Sequence, residues 1–350
     1  MEYEKDYLSL THPLVSILIV NWNGKHHLGE CLGSLYKQVF TNFEIIMVDN
    51  ASQDGSVEYV RQQYPKVQIK NLLENRGFAG GNNEGIRISS GKYLALVNND
   101  TKAEPMWLEN LISEAEEGPR SIGMWASKIL SYENPDIIDN VGLLVYPDGL
   151  GRGKARLELD RGQHDKKEEA LFPSGCAGLY RKEMMDEIGY FDENFFAYAD
   201  DVDLGFRARL AGWGCIYVPT ARVYHKYSSS SSAYSSLKAF LVERNRIWVM
   251  LKYFPLELIL VSPYFTLKRL LVHLYGAMTG RGASGRFSEQ QSVLQAFGIL
   301  LRAWCSAIAG LGHVLRERSA YKHLRRTSRS EIYRLLRTFS ISAHEIGLKE

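Results

Sequence analysis

Four short apolar runs, each closed by asparagine or aspartate, govern what the first hundred residues can become. Residues 15–20, 43–48, 67–73 and 93–97 are rich in β-branched or other apolar side chains and are too short for ordinary helices. Between them lie segments with helical spacing, such as Leu28, Cys31, Leu32 and Leu35 in 27–38, and residues 56–64. Apolar strands alternating with helices specify an α/β fold around a mostly parallel sheet, buried on both faces. Ligands of such sheets sit beyond the carboxyl ends of the strands. Those ends carry Asn21-Trp22-Asn23, Asp49-Asn50, the stretch 75–83 and Asn98-Asn99-Asp100, so one polar edge is expected to hold the site.

The 350 residues are 45% hydrophobic and 23% charged, as in soluble globular chains, which excludes a disordered, collagen-like or many-span protein. The net charge of +2 conceals a split: residues 237–350 hold 18 Lys/Arg against 7 Asp/Glu, and residues 1–236 hold 24 against 33. A basic last third suggests an anionic partner, either a membrane surface or nucleic acid. Four scattered cysteines argue against a zinc cluster or a disulfide framework. The acidic start, with no basic n-region and only a short first apolar run, predicts a chain that stays in the cytoplasm.

The division expected is a domain over 1–236, with halves at about 14–101 and 102–236, followed by a helical region over 237–350. In that region Leu256, Ile259, Leu260, Leu267, Leu270, Leu271 and Leu274 fall near helical spacing, as do Phe297, Leu300, Leu301, Trp304, Ile308 and Leu311. Glu257, Pro263, Lys268, Arg269, Gln295 and Arg302 interrupt the two runs, which suits interfacial amphipathic helices better than membrane spans. The basic tail after Leu315 suits anionic headgroups, the alternative being a helical bundle with a solvated charged face. The charged stretch 157–169 reads as a mobile loop.

Individual residues suggest chemistry along the polar edge. Asp49 closes the second strand, where a carboxylate can accept from a base N–H or a ribose hydroxyl; a turn aspartate is the plainer reading, and Asp54 fits it better. Residues 75–83 read as a glycine-rich turn before a helix, in which Gly77 and Gly80 permit close backbone approach to a ligand. Asp200, Asp201 and Asp203 crowd a helix start, which raises the proton affinity of some of them; Asp203 also stands four residues before Arg207, at ion-pair spacing.

The ordered motifs VSILIVNWN, VDNASQDGS, ENRGFAGGNN, ALVNNDT, FFAYADDVDLGFR and VYHKYSSS resemble those of the family 2 glycosyltransferases, most nearly the bacterial rhamnosyltransferase-like and galactofuranosyltransferase-like members, over roughly residues 14–250. The resemblance implies a GT-A fold, a nucleotide-sugar donor (a dTDP- or UDP-sugar), Mg2+ or Mn2+, and inversion at the anomeric carbon. It implies donor contacts at Asn21, Asn23, Asp49, Arg76, Gly77, Gly80 and Asn98. Asp100 becomes a metal ligand, although only the last residue of Asn98-Asn99-Asp100 is acidic where the family has two, and His225 becomes a second. Asp201 becomes the general base, with Asp200, Ser174 and Gly175 on the acceptor side. The Ser228–Ser232 run is either a linker or a lid over the donor, and Glu243-Arg-Asn-Arg246 resembles a later family motif without a clear role. The function implied is sugar transfer, with rhamnose foremost, to a glycan or lipid-linked glycan at the inner membrane face. The rival is a non-catalytic binder of nucleotide sugar or nucleic acid; the tail carries no nucleic-acid module, so nucleic acid is not expected.

Overall fold

A computed structural model describes residues 12–226, 235–282, 285 and 293–349. The first four strands are β1 (Val15–Asn21), β2 (Phe43–Asp49), β3 (Gln68–Asn71) and β4 (Tyr93–Val97). They pair in parallel in the order β3–β2–β1–β4, with Asn21 opposite Asp49. The crossovers carry α1 (Lys25–Leu35), α2 (Ser56–Gln63) and α3 (Gly77–Ile88), as the apolar spacing requires. Leu18, Ile46, Val48 and Leu96 join one buried cluster, while Ile17, Ile19, Met47 and Ala95 join another. Alternate residues of β1, β2 and β4 therefore enter different cores on the two faces of the sheet, the reason those runs read as continuously apolar, whereas β3 at the edge buries none of its four residues.

The sheet continues without interruption into the second half. The later strands are β5 (Thr101–Ala103), β6 (Ile122–Ser131), β7 (Ile138–Asn140), β8 (Leu143–Val145), β9 (Gly151–Gly153), β10 (Glu168–Glu169), β11 (Ala177–Arg181) and β12 (Gly214–His225). β11 is antiparallel to both β4 and β6, and β12 runs parallel to β6, giving the order β3–β2–β1–β4–β11–β6–β12–β10, with β5 on β12 and β7 on β6. Helices α4 (Trp107–Glu117), α5 (Lys182–Ile188) and α6 (Asp200–Leu210) cover it. This is the GT-A architecture expected, with helices following at the C-terminal end.

Two local expectations are corrected. Residues 77–83 are helix rather than turn: α3 begins at Gly77, and a Cβ at Gly81 would lie 2.6 Å from Val20 Cγ1, so packing on β1 is what requires the small residue. The 157–169 stretch is anchored, because the fully buried Lys128 ammonium lies 2.5 Å from Asp160 and 2.6 Å from Asp165, and β10 pairs with β12.

The last third folds as α7 (Ser236–Tyr253), α8 (Leu256–Thr279), α9 (Val293–Ala309), α10 (Leu311–Ala320), α11 (Arg329–Thr338) and α12 (Ala343–Leu348). Helix α8 runs through Pro263, and its buried residues Ser262, Arg269 and Gly276 form a seam at seven-residue spacing. Arg269 therefore does not interrupt an outer face: it points inward, 2.7 Å from Asp148 and 2.9 Å from Glu243. Glu243 also accepts from Arg246 and from Trp304 Nε1, tying α7, α8 and α9 together. A second buried cluster ties α7 to α6: Lys252 Nζ lies 2.6 Å from Asp203 and 2.9 Å from Asp192, and Arg207 and Tyr253 complete the coordination of Asp203.

Candidate active site

The polar edge is assembled by side chains that tie the strand ends to one another. Asn21 Nδ2 donates to Asp49 Oδ1 (3.0 Å) and to Ser52 Oγ (3.2 Å), and Asn21 Oδ1 accepts from Asn99 Nδ2 (2.8 Å). Asp49 also accepts from the Ser52 amide at 2.8 Å. The ends of β1, β2 and β4 are thus fixed before any ligand arrives. Asn23 is exposed in a left-handed conformation and accepts from the Gln53 amide. Asn50 bridges to α3, donating to the Gly77 carbonyl at 2.8 Å.

Two predicted donor contacts have clear intramolecular roles. Arg76 is paired with Glu84 at 2.7 Å and with Glu193. Gly77 has φ +70°, and a Cβ there would collide with the Phe196 carbonyl, so close approach to residues 195–199 accounts for this glycine. Gly80 sits inside α3 over Arg76.

Pairing of β12 with β5 puts His225 opposite Thr101, next to Asp100. His225 Nε2 lies 3.4 Å from Asp100 Oδ1, and Nδ1 lies 2.8 Å from Asp139 Oδ2; all three side chains are buried. Burial alone would lower the His225 pKa, but Cys176, Asp100 and Asp139 outweigh it and hold the imidazole well above its ordinary value. Asp139, which also pairs with Arg156, carries no motif signal: it occupies a three-residue strand and meets His225 only through the tertiary fold. His27 is a second residue without a sequence signal, buried near the start of α1 with both ring nitrogens lacking hydrogen-bond partners among the described residues. Burial, then neighbouring His26, lowers its pKa.

The strand end before β11 joins this corner to the acidic helix start. Asn98 N donates to the Cys176 carbonyl at 2.9 Å, Cys176 N donates to Ser174 Oγ at 3.2 Å, and Gly175 N donates to Asp201 Oδ2 at 3.0 Å. Asp201 Oδ1 accepts from the Val202 amide at 2.8 Å, so the carboxylate is clamped at the head of α6. Burial raises the Asp201 pKa above 3.8, against the pull of the Gly175 and Val202 amides. Asp200 is 3% exposed, its Oδ2 has no hydrogen-bond partner among the described residues, and burial, then the Asp201 charge, raises its pKa well above 3.8. Asp203 forms the predicted pair with Arg207 at 3.1 Å. Asn98, Asp100, Ser174, Gly175, Asp200, Asp201 and His225 therefore belong to one connected patch, while Arg76 and Gly80 adjoin it through α3. Residues Ser228–Ser232 lie outside the described residues.

Comparison with known proteins bears on the family and the fold. A sequence model described as Glycosyl transferase family 2 matches residues 16–189, and one described as Glycosyl transferase family group 2 matches 156–314. The chain is 26% identical over 274 residues to an N-acetylglucosaminyl-diphospho-decaprenol L-rhamnosyltransferase of Mycobacterium tuberculosis, covering 67% of this chain and 86% of the relative. Its fold is similar to that of GalNAc-T7 solved with UDP, GalNAc and Mn2+ (TM-score 0.57, 16% identity, 80% of this chain and 54% of that one). It is also similar to a mannosyltransferase from Pyrobaculum calidifontis in complex with GDP-Man and Mn2+ (TM-score 0.52, 15% identity, 90% and 93%).

Proposed function

The chain belongs to the family 2 glycosyltransferases, and from that premise we propose that it is an inverting transferase moving a sugar, rhamnose foremost, from a nucleoside diphosphate to a hydroxyl of a lipid-linked glycan. The observation that carries the proposal is the Asp201 carboxylate, clamped by the Gly175 and Val202 amides beside a buried Asp200. A base with raised proton affinity, fixed in place, suits removal of the acceptor hydroxyl proton as that oxygen attacks the anomeric carbon. Asp200, Ser174 and Gly175 line the acceptor side. Asp49, Asn23 and Asn98 are the donor contacts, with Asn21 holding Asp49 in register. The rhamnosyltransferase relative supports the sugar and the lipid-linked acceptor.

The donor set suits a divalent cation, since Asp100 offers a hard oxygen and His225 would offer a nitrogen on giving up its proton to the incoming metal. The described residues gather no cage of three or more His, Cys, Asp or Glu ligands, which is consistent with a site completed by the donor's phosphates. Held by Asp100 and His225, Mg2+ or Mn2+ would supply positive charge for the departing diphosphate. Asp139 fixes the His225 ring so that Nε2 faces Asp100. The test is a thermal-shift panel of dTDP-rhamnose, UDP-sugars and GDP-mannose, each with Mn2+ or with EDTA. One nucleotide class with Mn2+ is expected to stabilise the chain by about 2.7 kcal/mol at a hundredfold excess over Kd. A flat panel would remove the transferase reading, and equal shifts in EDTA would remove the metal.

The outer surfaces of α8 and α9 support docking on the inner face of a membrane. Leu260, Tyr264, Leu267, Leu271 and Met278 on α8, and Leu294, Phe297 and Ile308 on α9, are exposed. Among the described residues no single helix is long and apolar enough to cross a membrane, and α9 with α10 passes only as a pair bent by 52°. Much of the basic tail is engaged within the chain: Arg318 donates to the Leu251 and Phe254 carbonyls, and Arg326 pairs with Glu187, Arg329 with Glu257 and Arg334 with Glu169. Exposed Lys268, Arg316, Lys322 and Arg337 remain for headgroups. The full chain is expected to float with anionic but not zwitterionic vesicles, and Leu260→Ser with Leu267→Ser and Leu271→Ser to abolish flotation. Unaltered flotation of that triple variant would refute docking through α8.

A further inference from the structure

The loop that delivers Asp200 and Asp201 is held in an unfavourable backbone conformation by a side chain from the C-terminal third. Phe196 (φ 65°), Tyr198 (φ 66°) and Ala199 (φ 60°) are three non-glycine residues in left-handed territory, immediately before α6. With ψ −61° at Phe196 and Ala197 N donating to the Phe195 carbonyl at 2.8 Å, the chain makes a γ-turn of the rarer, strained hand. Residues held this way are unfavourable and persist where surrounding structure over-determines them.

Asn245 of α7 is the principal restraint. Its side chain is fully buried, and Nδ2 lies 3.0 Å from the Phe195 carbonyl, 2.9 Å from that of Ala197 and 2.8 Å from that of Tyr198. Arg244 orients the amide by donating to Asn245 Oδ1 at 2.8 Å, and its guanidinium also donates to the Asn194 and Phe195 carbonyls. The remaining carbonyl of the turn, Phe196 O, accepts from Ala79 N of α3 at 3.2 Å. Of the four consecutive carbonyls 195–198, three are thus gripped from α7 and one from α3.

We propose that Asn245 is a positioning residue for sugar transfer: it fixes the 195–199 turn, and through it the location of the Asp201 carboxylate relative to the donor edge. This rests on the reading of Asp201 as base. It gives a role to the Glu243-Arg-Asn-Arg246 motif, whose two halves divide the work. Glu243 and Arg246 hold the helices together, while Arg244 and Asn245 hold the turn.

The test compares Asn245→Ala, Asn245→Ser and Asp201→Asn in the full chain, using the nucleotide sugar with the largest shift in the panel above. Displacement of a reacting group by about 1 Å can cost about a hundredfold in rate, so Asn245→Ala is expected to lower kcat by about that factor. Its donor KM and nucleotide affinity should stay within about twofold, the signature of an interaction that matters in the transition state rather than in binding. Asn245→Ser, which keeps one donor, should fall between. Hydrogen exchange should show lost protection at residues 195–201 in Asn245→Ala, with β1 and β4 unchanged. If Asp201→Asn is inactive while Asn245→Ala transfers at the wild-type rate, the positioning role is overturned. Failure of both Asn245 variants to fold would overturn it too, by making Asn245 a stability residue. If Asp201→Asn stays active, the base assignment falls instead, and the exchange pattern still decides whether Asn245 holds the turn.

Discussion

Asp201→Asn is expected to lower transfer by about a thousandfold, within the range that a lost general base commands, while leaving donor affinity nearly unchanged and lowering the melting temperature modestly through the loss of one of two amide bonds. Asparagine matches aspartate in shape and its Oδ1 can still accept from Gly175 N or Val202 N, the two amides that clamp the wild-type side chain. What it cannot do is take a proton. The wild-type pH profile provides a second measure. Burial raises the Asp201 pKa, so the base is protonated and lost as pH falls through a value higher than that of an exposed aspartate. The acidic limb of kcat should therefore begin earlier than for an exposed aspartate, and it should be missing from whatever residual rate the variant retains. Stability responds with the opposite sign. Groups with raised folded-state pKa favour the folded chain as they become protonated, so the Asp200–Asp201 pair should stabilise the protein on mild acidification, even as activity falls.

The largest loss of stability is expected from Lys252→Ala. Lys252 Nζ stands between Asp192 and Asp203, and Asp203 is completely buried. Removing one partner of a buried ion pair typically costs about 3–5 kcal/mol, because the remaining charge has neither water nor counter-ion. For a chain of this size that is a fall on the order of 10 °C in Tm, measurable by calorimetry. Arg207 remains beside Asp203 at 3.1 Å and sets a limit on the damage. Lys252→Met tests the origin of the effect: it restores most of the packing volume without the charge, so a loss close to that of alanine assigns the cost to electrostatics. Near-complete recovery would assign it to the cavity.

The parallel half of the fold was legible because a strand buried on both faces leaves an unbroken apolar run, and β1, β2 and β4 have no other pattern to be mistaken for. The start of α3 was not legible, since glycine is a poor helix former and only the approach of Gly81 to Val20 explains its presence there. Asp201 and Asp100 were recognisable from local motifs. Asp139 was not, because its meaning depends on His225, which lies 86 residues away in sequence. Asn245 was visible as part of a motif, but its role depends on the backbone conformation at residues 195–198, which no side-chain pattern encodes. The charge of the basic tail was legible only in part: composition counts charges, and only the fold shows that Arg326 and Arg334 face Glu187 and Glu169.

The unbroken sheet has a mechanical consequence. The four parallel strands of the first half and the strands of the second share a single ladder of backbone hydrogen bonds from β3 to β10, with β11 stitched between β4 and β6. The two halves cannot swing apart like jaws around a cleft without breaking that ladder. Relative motion of the two halves is therefore left to the connections at the sheet's edge rather than to a hinge across its middle.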